Sequence, residues 1–142
     1  MNNSPNNEIY DPAYVNELFE QMSGTYERMN VITSFGFSIR WRRQCVQAAR
    51  LLPGMHIVDL MLGMGEAWSP IITATQKKCR ITGVDFCRSM VRFAEQEKLK
   101  LGHSNIDIRC ENVFGNSLPA ESADAVISTF GLKTLSPVQV KL

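Results

Sequence analysis

The sequence is poor in the residues that build metal centres. Its four cysteines, Cys45, Cys79, Cys87 and Cys110, lie far apart without a Cys-x-x-Cys pair, and only His56 and His103 are there to join them. No zinc spacing results, no metal is expected, and the thiols are expected to be reduced and mostly buried. Charge of one sign is also lacking. Fifteen basic against fourteen acidic residues leave a formal net charge of +1, with no long block of like charge, which argues against nucleic acid and favours small neutral partners. No run reaches the roughly 20 apolar residues of a membrane span. The first residues, Met1-Asn2-Asn3-Ser4-Pro5-Asn6-Asn7, have neither the positive nor the apolar region of a signal peptide, so a cytoplasmic location is expected. No internal repeat is visible.

What is present suits one globular domain: 142 residues, 44% hydrophobic and 20% charged, a size near the centre of the domain distribution. Residues 1–10 read as a polar, disordered N-terminus. Asp11 and Pro12 then supply an N-cap and a first-turn proline. Val15, Leu18, Phe19 and Met22 follow at i, i+3, i+4 and i+7, a helical stripe that Gly24 is placed to end. A second short helical piece is read over Tyr26 to Val31. Ser38 is read as the cap of a further helix, with Trp41, Cys45, Ala48 and Leu52 on one face and Pro53-Gly54 as its stop.

At Met55 the period changes. His56-Ile57-Val58-Asp59-Leu60-Met61 is a short apolar run suited to a buried parallel strand. Helices about Ala67 to Lys77 and Ser89 to Leu101 then alternate with strands at Arg80 to Val84, Ile106 to Cys110 and Ala123 to Thr129. That alternation predicts a parallel sheet covered on both faces. Met90, Phe93, Ala94 and Leu101 form a helical core stripe. Near the C-terminus, Ser136-Pro137-Val138-Gln139 has the order of a capping box. It starts a helix that the sequence does not complete, so the chain reads as cut off.

In open parallel sheets ligands sit beyond the carboxyl ends of the strands. Gly63 and Gly65 follow the first strand, where glycine permits φ > 0 and lets backbone N–H groups approach a ligand. Asp85 ends the second strand, where a carboxylate can accept both hydroxyls of a ribose. Glycine turn and strand-end acid, about 20 residues apart, read as a site for an adenosine-containing ligand. A purely structural reading has the glycines shaping a tight turn and Asp85 capping the next helix. A nicotinamide dinucleotide fold is the nearer rival, but its third glycine falls on Trp68.

Asp59-x-x-x-Gly63-x-Gly65 followed by Asp85 resembles the S-adenosylmethionine motif of class I methyltransferases. Tyr26-Glu27-Arg28-Met29-Asn30, Ser34-Phe35-Gly36, Trp41-Arg42-Arg43, Ser89-Met90, Leu118-Pro119, Asp124 and Phe130-Gly131-Leu132 add a closer likeness. Together they are similar to the ubiquinone/menaquinone-biosynthesis C-methyltransferase family, in its order and over nearly the whole chain. The resemblance implies an α/β fold: the front half of a Rossmann-like three-layer parallel sheet over residues 55–142, preceded by a helical lid over 11–54. It implies S-adenosyl-L-methionine as cofactor and methyl transfer to a small-molecule acceptor, most readily at carbon. Asp59 would position the methionine end, Gly63 and Gly65 frame the loop, and Asp85 hold the ribose. Asn112 and Val113 would meet the adenine, Thr129 and Phe130 line the pocket near the methyl group, and Tyr26 close over it. Lys133 is the candidate to stabilise a phenolate acceptor.

The sequence departs from the family where a small residue is usual, with Met61 and Leu62 bordering the glycine loop, and Lys133-Thr134 stand where relatives carry Arg-Asn. The competing reading is therefore a truncated or degenerate methyltransferase-like domain without catalytic activity. Three further expectations follow. Arg40, Arg42 and Arg43 are read as a solvated helix face, and Trp41 and Trp68 as buried. The fourth strand, left as an open edge, is expected to promote homo-oligomers.

Overall fold

A computed structural model describes residues 11–22 and 37–139. Helix α1 spans Pro12–Met22 and α2 Phe37–Ala48; four strands follow, β1 His56–Leu60, β2 Arg80–Asp85, β3 Ile106–Cys110 and β4 Ala125–Ile127. Helix α3, Trp68–Ala74, joins β1 to β2, and α4, Arg88–Leu101, joins β2 to β3. Between β3 and β4 there is only a single 3-10 turn, Val113–Gly115. The strands are all parallel in the order β3-β2-β1-β4. Both helical crossovers thus run one way across the sheet and lie on the same face. The chain then returns to the far side of β1, which makes the β1/β4 boundary the point where strand order reverses.

Register explains the core. Ile57, Ile81 and Ile106 align across β1, β2 and β3 and are buried with Trp68, Ile71 and Ala94 from the helices. Two positions on, Asp59, Gly83 and Ile108 align, and Gly83 leaves the room that Leu62 and Trp68 occupy: a Cβ on it would fall 2.6 Å from Leu62 Cδ2. At the amino ends of the strands, His56 Nδ1 lies 2.6 Å from the Ser122 carbonyl and Nε2 2.9 Å from Thr82 Oγ1. Because a carbonyl only accepts, Nδ1 carries a proton and donates to it, and in the neutral ring Nε2 accepts from the Thr82 hydroxyl. The Asp124 carboxylate accepts the His56 N–H at 2.7 Å, so this cluster pins β4 beside β1.

Most expected elements form where the pattern placed them. Asp11 caps α1 by accepting from the Ala13 N–H at 2.9 Å. Gly102, at φ 61°, closes α4. Ser136 and Gln139 exchange the two hydrogen bonds of a capping box, at 2.8 and 3.3 Å. Of the α1 stripe, Leu18 is exposed, and the side chains of Val15, Phe19 and Met22, with Gly24 and the expected turn from Tyr26 to Val31, lie outside the described residues. The fourth strand is shorter than its apolar run, for it pairs with β1 through only three residues.

Three expectations are corrected. Helix α2 buries Ser38, Arg42 and Val46, one residue round from the expected face, and Trp41 and Leu52 are 49% and 60% exposed. Arg42 is not on a solvated face, because it has an acidic partner inside; Arg40 and Arg43 are exposed as read. Cys110 is also exposed, whereas Cys79 and Cys87 are buried.

Candidate active site

The site is built where β1, β2 and β4 end. Strand β1 stops because Met61 turns to φ 56°, and Gly63 and Gly65 continue the turn at 59° and 81°. The loop closes on Asp85: its Oδ2 accepts the Gly63 N–H at 2.9 Å and its Oδ1 the Cys87 N–H at 3.0 Å. Each carboxylate oxygen retains acceptor capacity for a ligand hydroxyl. Burial raises the Asp85 pKa above the usual aspartate value, and the Cys87 and Gly63 N–H groups pull it back.

Helix α1 reaches this turn as well. Glu20 Oε1 accepts the Ser89 N–H at 3.0 Å, placing a carboxylate at the amino end of α4, where the helix dipole favours it.

Gly65 serves packing as well as the turn. A Cβ there would lie 2.7 Å from Trp68 Cε3, so the indole lies flush against the loop. Trp68 is fully buried, as expected, and its Nε1 donates to Asp59 Oδ2 at 3.0 Å. Asp59 is therefore turned towards the core. Its pKa is raised to about 7, first by burial and then by repulsion from Glu66.

Two acidic and basic partners escaped sequence reasoning. Arg42 Nη2 donates to Glu66 Oε1 at 2.9 Å with both side chains nearly buried, while Glu66 Oε2 accepts the Met64 N–H at 3.0 Å. The Arg42 guanidinium also lies 5.3 Å from the centre of the Phe130 ring, and Lys133 Nζ 5.6 Å from the same ring. One arginine thus joins the helix before the sheet, the glycine loop and the segment after β4. No local pattern marked it, because its partner lies 24 residues on.

A cavity of about 50 Å³ lies at the centre, lined by Gly63, Asp85, Thr129 and Phe130 together with Met61, Leu62, Arg42 and Glu66. Four of the expected cofactor residues thus converge. Asp59, Gly65, Asn112, Val113 and Lys133 do not line it, and Tyr26 lies outside the described residues. Asn112 is exposed, its amide oxygen accepting the Phe114 N–H at 3.0 Å. A larger groove of about 570 Å³ runs over the two-turn α3, between the longer α2 and α4. The Arg42 and Glu66 side chains border both spaces. Of the two, the smaller one lies at the strand ends, beside Gly63 and Asp85. No group of three metal-ligating side chains occurs among the described residues.

A strand-end acid bonded to a glycine loop at the point of strand reversal is the arrangement that a family match can decide. The ubiE/COQ5 methyltransferase family model matches residues 7–142. The chain belongs to that family. With membership comes the cofactor S-adenosylmethionine, and the dinucleotide reading falls away. Among curated relatives, the demethylmenaquinone methyltransferase of Listeria monocytogenes serotype 4a (strain HCC23) is 28% identical over 123 residues, covering 85% of this chain and 51% of that protein. That of Desulfitobacterium hafniense (strain Y51) is 27% identical over 128 residues, covering 89% and 51%. The chain spans about half the length of these relatives.

Solved structures agree on the fold. A putative S-adenosyl-L-methionine-dependent methyltransferase from Methanococcus maripaludis superposes with a TM-score of 0.60 at 15% identity, over 91% of this chain and 54% of that one. A SAM-dependent methyltransferase from Aquifex aeolicus gives 0.55 at 21% identity, over 61% and 46%.

Measured against this cofactor, the residues fit at one end. Asp85 and the left-handed glycines suit a ribose and a closely approaching ligand. The space beyond does not fit, since about 50 Å³ is far below the roughly 300 Å³ at which ligand pockets of this kind begin.

Proposed function

We propose that the protein transfers the methyl group of S-adenosylmethionine to a carbon of a small aromatic acceptor, a quinone precursor of the kind named for its relatives. The single observation that carries the reading is Asp85, buried at the end of β2 and bonded to the Gly63 N–H of the loop after β1. In this reading Asp85 holds the ribose hydroxyls, Gly63 allows close approach, and Thr129 and Phe130 border the reacting end. Asp59 acts through the loop by anchoring Trp68 beneath it. The sulfonium supplies an activated methyl group, so the protein's share is alignment and exclusion of water. Lys133, held against Phe130, is the cation assigned to a developing phenolate. Asn112, Val113 and Tyr26 remain the candidates for the adenine and for closure.

Titration calorimetry with S-adenosylhomocysteine tests the ribose contact. Asp85→Asn keeps one acceptor but loses the charge, and is expected to weaken binding about tenfold or more, near 1.4 kcal/mol. Equal affinity in the variant would remove Asp85 from the site.

We also propose that the chain resides in the cytoplasm and self-associates along the free edge of β4. The absence of any membrane-crossing helix among the described residues and the exposure of Val126 on that strand support the reading.

A further inference from the structure

The two bulky residues beside the glycine loop have different fates. Leu62 is 3% exposed and belongs to the core under Gly83. Met61 turns the other way, into the segment that follows β4. A Cβ built on Gly131 would lie 2.6 Å from Met61 Cβ and 2.9 Å from both its Sδ and Cε. The backbone of Gly131 is in an ordinary helical conformation, φ −67°, so the glycine answers a steric need and not a torsional one. Met61 and Gly131 are fitted to each other.

Their contact lies across the path of a ligand held by Asp85. In this reading the ribose end rests at the tip of β2, and the cavity leads from Asp85 past the loop after β1 to Thr129 and Phe130 beyond β4. That passage is where Met61 lies. Its side chain and Gly131 both line the 50 Å³ cavity, which has room for one or two water molecules and not for an amino-acid arm.

We propose that Met61 is a plug that closes the arm of the site beyond the ribose, so that this chain discriminates between adenosine-like ligands with and without a long 5′ substituent. The inference rests on the proposed adenosine-ligand reading of Asp85. Met61 is unbranched and flexible, and swinging it off Gly131 would open the arm without moving the core, because Leu62 alone carries the hydrophobic packing there. Glycine at position 61 would remove the plug and suits the left-handed φ.

The test is calorimetric titration of the full 142-residue chain with two probes, adenosine and S-adenosylhomocysteine. The wild-type chain is expected to bind both with similar, weak affinity. Met61→Gly is expected to gain about tenfold or more for S-adenosylhomocysteine while leaving adenosine within about threefold. Met61→Ala, which keeps a Cβ and constrains the backbone more than glycine, should show the same selective gain in smaller measure and covers any loss of folding in the glycine variant.

Tight S-adenosylhomocysteine binding by the wild type that neither variant improves would overturn the plug and leave the adenosine reading standing. A parallel gain for both probes would also overturn it, since the obstruction would then not lie beyond the ribose. If neither probe binds any folded variant, the ribose assignment fails and the plug with it.

Discussion

Asp59 shows how little a residue's identity says before its surroundings are known. In the sequence it is the motif acid; in the structure it is 1% exposed, with one oxygen taken by the Trp68 indole. Its pKa of about 7 lies well above that of an ordinary aspartate, near 4. Between these values the folded state keeps a proton that the unfolded chain has released. Stability from this group is therefore full below about pH 4, falls as pH rises, and is lost above about pH 7, a change on the order of a few kcal/mol. Asp85, raised in the same direction, adds to the slope. Thermal melts between pH 5 and 7.5 should show stability falling in the wild type and a flatter dependence in Asp59→Asn, which keeps an acceptor for Trp68. Parallel pH profiles for the two proteins would show that Asp59 ionises normally.

The elements are held together by a few polar contacts in addition to the apolar core. Arg42 on α2 and Glu66 in the glycine loop are the clearest case. Removing one member of a nearly buried pair strands the other charge in a low-dielectric setting, which costs about 3–5 kcal/mol, whereas removing both costs much less. Urea unfolding should find Arg42→Ala destabilised by that order. Arg42→Met combined with Glu66→Gln, which preserves an acceptor for the Met64 N–H, should recover most of the loss. An additive double variant would mean that the two side chains do not depend on each other. A similar logic governs the loop itself, where Gly65 is required both by its φ of 81° and by the indole against its face.

For the whole molecule, β4 is the exposed place. It pairs with β1 on one side, no further strand adjoins it among the described residues, and Val126 is 61% exposed. An exposed apolar edge is a template for pairing with another chain. Light scattering should detect concentration-dependent association, and Val126→Lys should lower it by placing charge on that strand. A monodisperse monomer at all concentrations would count against edge pairing.

Part of this fold follows from local rules. The run from His56 to Leu60, the glycines after it, Met90 and Ala94 of the α4 stripe and the box of Ser136 and Gln139 each depend on neighbours a few residues away, and all stand where periodicity put them. Phe93 of that stripe, in contrast, is half-buried and borders the larger groove. The family was legible for the same reason, since its motifs are contiguous or regularly spaced. Tertiary structure alone decided the face of α2, because a buried arginine looks like a surface residue until its partner, 24 residues on, is folded beside it. It decided the outward display of Trp41, and it separated Met61 from Leu62. Adjacent and alike in bulk, they diverge because the backbone turns left-handed at Met61, sending one side chain into the core under Gly83 and the other across Gly131. That divergence rests on residues some 20 and 70 positions away, a distance over which no local pattern in a chain carries information.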